Sequence, residues 1–154
     1  MHRYSLQLTW TGNLGQGTAD YRSYSRDYSV SCDDKPVLFG SSDPSFRGDP
    51  KRWNPEELLL ASITACHKLW YLHLCADAGI VVTDYVDTAS ATMERGNDGV
   101  TRITSVELRP VVTVAAGHDR ELALALHGRA NDECFIANSV RFPITHQPQI
   151  VGWE

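Results

Sequence analysis

The chain has 154 residues, of which 42% are hydrophobic and 21% charged, and it carries a formal net charge of −5. This suffices for one domain, residues 1–154, with a sizeable core, and the acidic balance excludes a nucleic-acid binder, which needs a clustered basic face. The opening MHRYSLQLTW holds no apolar signal core, and Cys32, Cys66, Cys75 and Cys134 form no CxxC pair, so the expectation is a cytoplasmic protein with neither a zinc ribbon nor a structural disulfide framework.

Tyr4, Leu6, Leu8 and Trp10 alternate with polar residues, the period-2 pattern of a strand with one wet face. Gly12, Gly15 and Gly17 follow as a tight turn; no helical pattern opens after them, which argues against a phosphate loop. Tyr24, Tyr28, Val30 and Cys32 alternate with Arg26 on the same face, predicting two strands or one bent strand over residues 18–32. Val37 to Phe39 reads as a short strand, and Gly40 to Trp53 as a long loop carrying Phe46 and Arg47 just ahead of a helix.

That helix, Asn54 to Gly79, is the stretch around which the chain is organised. Asn54 is a good N-cap, Pro55 suits the first helical position, Glu56 and Glu57 favour the positive end of the dipole, and Gly79 ends the run. Its apolar residues go all the way round, as in a helix enclosed by other protein. His67, Lys68 and His73 interrupt the apolar run and mean hydropathy is −0.28, so the expectation is a core helix and no membrane span. At 100° per residue, Cys66 shares a face with Leu59, Ile63, Leu69, Trp70 and His73, which predicts an apolar, aromatic pocket around the thiol.

Beyond the helix, residues 80–95 and 100–115 read as two long strands joined by a hairpin at Gly96-Asn97-Asp98-Gly99, with Pro110 marking an edge or a bulge. From His118 the spacing turns helical through Leu122, Leu126, Ala130 and Cys134, and Gln147 to Trp153 reads as a last strand.

Asn54-Pro55-Glu56-Glu57 ahead of Ala65-Cys66, with a second cysteine in Asn131-Asp132-Glu133-Cys134, resembles the OsmC/Ohr family of thiol proteins that reduce organic hydroperoxides. Phe135 stands where well-known members have proline. The resemblance implies an α+β subunit with an antiparallel sheet around a long central helix, paired in an intertwined homodimer. It also implies Cys66 as the peroxide-attacking cysteine, Cys134 as the resolving one, and Glu56 as a pocket acid paired with an arginine. No arginine lies between Gly12 and Thr18, where one branch has it; Arg47 is nearest to the position used by another, and Arg26 is the reserve. The partners implied are an organic hydroperoxide and an external dithiol, with no cofactor.

The chemistry sets its own demands. A thiolate attacks the O–O bond, and a mid-helix cysteine gets no help from the helix N-terminus, so an arginine held by a carboxylate must favour the anion. The positions from 56 to 66 span about 15 Å of helix, which places the expected pocket at a dimer interface. Two rival readings remain. One is a metal site drawn from Cys66, His67, His73 and Cys75, although only two of these share a face. The other is a non-catalytic dimeric module for stress response or small-molecule binding. His67 and His73 are expected as interfacial polar groups, and His127 and His146 carry no usable pattern.

Overall fold

The computed structural model describes residues 1–152 and 154; position 153, the predicted end of the last strand, lies outside the described residues. The chain divides into two compact units, 1–58 and 59–154.

In the first unit, β1 (Gln7–Trp10), β2 (Tyr28–Ser31) and β3 (Leu38–Gly40) form an antiparallel sheet in that order. β1 is shorter than the alternation predicts, and its apolar side chains are poorly covered within the chain, Leu8 being 58% and Trp10 42% exposed, as is Tyr4 ahead of it at 93%. The predicted strand pairing over residues 18–32 shrinks to β2. Local polar contacts win upstream of it, where Asp20 accepts hydrogen bonds from Arg22 N–H and Ser23 Oγ–H.

The loop after β3 is ordered by its own hydrogen bonds. Asp43 caps the 3-10 turn Pro44–Phe46, Ser41 Oγ accepts from Asp49 N–H at 3.1 Å, and Ser41 N–H donates to Trp53 O at 2.9 Å. A side chain at Gly48 would meet the Ser42 carbonyl at 1.5 Å, so only glycine fits this crossing. Arg52 joins two segments of the unit by lying 3.5 Å from Asp27 and 3.7 Å from Asp49.

α1 (Pro55–Asp77) begins in a reciprocal capping box: Asn54 Oδ1 accepts from Glu57 N–H at 2.8 Å, and Glu57 Oε2 accepts from Asn54 N–H at 3.1 Å. It ends at Gly79, whose φ of +72° lets Ile80 N–H reach back to Cys75 O and Gly79 N–H to Ala76 O, the paired bonds of a glycine C-cap. Within one chain its buried residues, Ile63, His67, Tyr71, Leu74 and Cys75, form a single stripe, while Leu69 is 61% exposed. The all-round apolar pattern is therefore only partly covered by the chain's own residues. By length and composition α1 could also cross a membrane, a test that core helices pass equally.

The second unit corrects the two predicted long strands. Each breaks once, giving β4 (Val82–Asp87), β5 (Ser90–Arg95), β6 (Thr101–Leu108) and β7 (Pro110–Val114). The Gly96–Gly99 hairpin pairs β5 with β6 in one sheet, whereas β4 pairs with β7 in another. Pro110 opens β7, where a missing N–H costs least, and Asp87 Oδ1 accepts from Arg109 N–H at 2.8 Å to hold the break.

α2 (Arg120–Glu133) starts at Asp119, whose carboxylate accepts from Glu121 and Leu122 N–H, and is C-capped by Cys134. The chain then returns as β8 (Ile144–His146) and β9 (Gln149–Val151), parallel to β6 and β7. The sheets are thus mixed rather than purely antiparallel, because α2 acts as a crossover that brings the chain back in the same sense. The main core joins Tyr71, Leu74 and Cys75 of α1 to Val112, Val114, Leu126 and Ile150, and a smaller cluster joins Ile63 to Val106 and Leu108.

Candidate active site

Cys66 lies near the middle of α1 and Cys134 caps α2, and the second unit brings their side chains together as free thiols. Cys66 is half-buried and Cys134 is 1% exposed. The Cys134 thiol is pushed up to about 11, first by burial and then by the Cys66 side chain beside it, against a weaker opposing effect of the Ala137 N–H it accepts at 3.4 Å. The pair is therefore asymmetric: one thiol is reachable, while the other is buried and protonated. Phe135, 70% exposed, stands edge-on to Trp70 at 5.5 Å and bounds the neighbourhood where the family pattern has proline.

The other cysteines have different surroundings. Cys75 is in the core, its thiol raised by burial against the opposing hydrogen bond of Tyr71. Cys32, in the first unit, donates to Ser5 O and accepts from Lys35 Nζ at 3.5 Å.

Glu56 sits in the first turn of α1, and its Oε2 is buried with no hydrogen-bond partner among the described residues. The Tyr28 phenol is raised by burial and then by the Glu56 charge. Arg47 is exposed, in the left-handed region at φ +66°, with its N–H on Pro44 O; the Asp20 carboxyl is held low chiefly by Ser23 and Arg22, with Arg47 adding a smaller electrostatic share. Arg26 is committed locally: it donates to the Tyr24 and Tyr21 carbonyls at 2.7 and 2.6 Å and lies over both rings.

The single predicted apolar pocket is divided. Leu59 lines a cavity of about 530 Å³ with Arg102, Ile103, Arg141 and Phe142, whereas Leu69, Trp70 and His73 line a smaller one of about 180 Å³, and Ile63 is in the core. Side chains several turns apart on one helix can share a face without sharing a neighbour.

His67 and His73 also part company. His73 is exposed and pairs with Asp77 at 3.5 Å. His67, expected at an interface, is buried, and its Nε2 meets His127 Nδ1 at 3.0 Å, with His146 of β8 close to both rings. Sequence reasoning missed this cluster. The available signal was that His127 falls at helical spacing with Ala123, Leu126 and Ala130, on the face that is buried. Among the described residues no three His, Cys, Asp or Glu side chains are arranged to hold a metal ion.

Burial lowers His67 to about 4, reinforced by His146 and opposed by Asp87; burial lowers His127 to about 3, reinforced by His67 and His146. Both rings are thus neutral when folded, and each takes up a proton at its ordinary value near 6.5 when unfolded. Their contribution to stability is complete above pH 6.5, declines as pH falls from there, and is gone once the folded values are reached. The titratable groups facing them are Tyr71 of α1, Asp87 of β4 and His146 of β8, with Tyr85 of β4 packed against Tyr71. Urea unfolding at successive pH values should show stability falling by about 1.4 kcal/mol per pH unit per histidine below pH 6.5. A flat profile down to pH 5 would show that these rings are not held neutral.

A family model described as "OsmC-like protein" matches residues 48–149. No curated protein matches the chain at a significant level. An OsmC-like protein of unknown function from Vibrio cholerae is similar over 96% of this chain and 99% of its own, at 27% identity and a TM-score of 0.88. The fold is shared with an organic hydroperoxide resistance protein from Elizabethkingia anophelis, at 21% identity, TM-score 0.68, and 98% coverage of both chains. It is shared too with the organic hydroperoxide resistance protein OhrB of Bacillus subtilis, at 21% identity, TM-score 0.63, and coverage of 96% of this chain and 98% of that one. With an NPEE capping box, a mid-helix cysteine and a second thiol beside it, the chain belongs to the OsmC-like protein family.

Proposed function

We propose that the chain, taken as one OsmC-like domain over residues 1–154, is a thiol peroxidase that reduces organic hydroperoxides. The observation that carries this reading is the half-buried Cys66 thiol set against the buried, protonated Cys134 thiol. The Cys66 thiolate attacks the distal peroxide oxygen, the O–O bond breaks, and the alkoxide leaves as alcohol after taking a proton. Cys66 is then a sulfenic acid. Cys134 displaces its hydroxyl as water, forming a disulfide before further oxidation, and an external dithiol takes the disulfide back to two thiols.

Glu56 and Arg47 are assigned the charged role in this reading: the carboxylate holds the guanidinium, and the guanidinium favours the thiolate. Support comes from Glu56 Oε2, since a buried carboxylate oxygen with no partner among the described residues gains most from a cation. Arg26 serves less well, its guanidinium being spent on the Tyr21 and Tyr24 carbonyls. The working form is a cytoplasmic homodimer, in which a second copy covers apolar side chains such as Tyr4, Leu8 and Leu69.

One observation favours a non-catalytic binding module as a second reading. The cavity of about 530 Å³ lined by Leu59, Ile103 and Phe142, with Arg102 and Arg141, contains neither candidate cysteine and suits a small amphipathic ligand.

Mixing the reduced protein with one equivalent of cumene hydroperoxide and counting free thiols separates the two. The peroxidase loses two thiols per chain, recovered by dithiothreitol and mapped to Cys66 and Cys134. A binding module keeps all four.

A further inference from the structure

The second unit contains a polar contact between the two thiol-bearing helices that the peroxidase chemistry does not use. His67 follows Cys66 on α1, and His127 lies on the buried face of α2 that ends at Cys134. Their rings are joined by the 3.0 Å contact between His67 Nε2 and His127 Nδ1. The ring planes differ by only 11° with centroids 5.3 Å apart, the arrangement of two rings meeting edge to edge, so the lone pair of one nitrogen points along the N–H of the other. One turn on in α1 and one turn back in α2, Tyr71 Oη–H donates to Ala123 O at 3.0 Å, and Tyr71 stacks on His127 at 3.8 Å. The order of these pairs, 67 with 127 and 71 with 123, shows the helices running in opposite senses where they meet.

Packing alone does not explain this choice of residues. A leucine pair would fill the same space without leaving His67 Nδ1 and His127 Nε2 buried and, among the described residues, unpartnered. A hydrogen bond fixes what apolar packing leaves free, namely the slide and rotation of one helix against the other.

We propose that His67 and His127 are positioning residues, a hydrogen-bonded latch that sets the register of α1 against α2 and so holds Cys66 opposite Cys134 for disulfide closure. Neither ring touches a reacting atom. The proposal rests on the peroxidase reading only in taking Cys66 and Cys134 as the pair that closes.

The test is the equilibrium between the Cys66–Cys134 disulfide and glutathione redox buffers at pH 7, quantified by peptide mass spectrometry. Each disulfide formed reduces one glutathione disulfide to two thiols, so the equilibrium reads how well the two cysteines are held together, without any peroxide. In the full chain, His127→Leu should favour the reduced form by at least about 10-fold, and His127→Asn, whose short amide can meet His67 Nε2 in place of Nδ1, should recover most of the loss. If His127→Leu does not fold, the contrast is repeated from the other side, with His67→Met expected to lose and His67→Gln to retain closure. Wild-type closure in His127→Leu or His67→Met overturns the latch, as does Asn or Gln performing no better than its apolar counterpart, since the role would then be packing. A wild-type protein that forms no Cys66–Cys134 disulfide overturns it as well. A protein that closes normally and shows the Leu and Asn contrast, yet consumes no hydroperoxide, refutes the peroxidase reading and supports the latch.

Discussion

Replacing Cys66 by serine should lower the consumption of organic hydroperoxide by at least about 100-fold while leaving the fold intact. The hydroxyl is close to the thiol in volume, and Cys66 is only half-buried, so the substitution leaves no large cavity. Its proton is held far too tightly for the oxygen to attack an O–O bond near neutral pH, and no neighbour can compensate for a loss of nucleophile. The pairing adds a second consequence: with Cys66 gone, Cys134 keeps its burial but loses the thiol that helps raise it. The measurement is cumene hydroperoxide consumption with dithiothreitol as reductant, accompanied by thermal unfolding. Activity near that of the wild type would move the attacking role to another thiol, first of all to Cys32, the one beside Lys35 Nζ.

Cys134→Ser should give a different failure. If Cys66 is the attacking thiol, the first equivalent of peroxide should be reduced at the normal rate, because that thiol is untouched. Turnover then stops, since Cys66 has no thiol to condense with and its sulfenic acid moves on to the irreversible sulfinic form. Over ten equivalents, with no reductant added, the variant should therefore consume about two, one for the sulfenic and one for the sulfinic step, and mass spectrometry should find the two added oxygens on Cys66. The fold should tolerate the change at a cost of about 1 kcal/mol: the introduced hydroxyl can still accept from Ala137 N–H, while a more polar atom is buried in place of the thiol. Sustained turnover, or a Cys66 disulfide to Cys75 or Cys32, would show that another thiol resolves the intermediate.

Much of this protein was legible in the residues themselves, for reasons that are local. Asn54, Pro55, Glu57 and Gly79 fix the ends of α1 because caps act on the nearest backbone groups, and the observed bonds are those the residue types supply. The Gly96-Asn97-Asp98-Gly99 hairpin and the helical spacing from His118 that becomes α2 follow likewise from turn chemistry and periodicity. The expected pairing of Cys66 with Cys134 came from family resemblance rather than periodicity; in the second unit the two side chains are neighbours.

What the tertiary structure alone decided is everything that depends on which face meets what. A long alternating stretch does not say where it will break. The switch between sheets at Asp87 and Arg109 needs a cross-strand hydrogen bond between residues 22 positions apart. The parallel return of β8 and β9 depends on the path of α2. Shared helical phase put Leu59, Leu69 and Cys66 on one face, yet neighbours on other elements divided that face into separate cavities. The histidine cluster is the clearest case: His67, His127 and His146 come from two helices and a strand, and the three are joined by packing that no local pattern encodes. Sequence by itself determined the ends of α1 and the position of the hairpin, because these are set by near neighbours; register, burial and the partner of each buried nitrogen were set by contacts between distant segments, which exist only once the chain has folded.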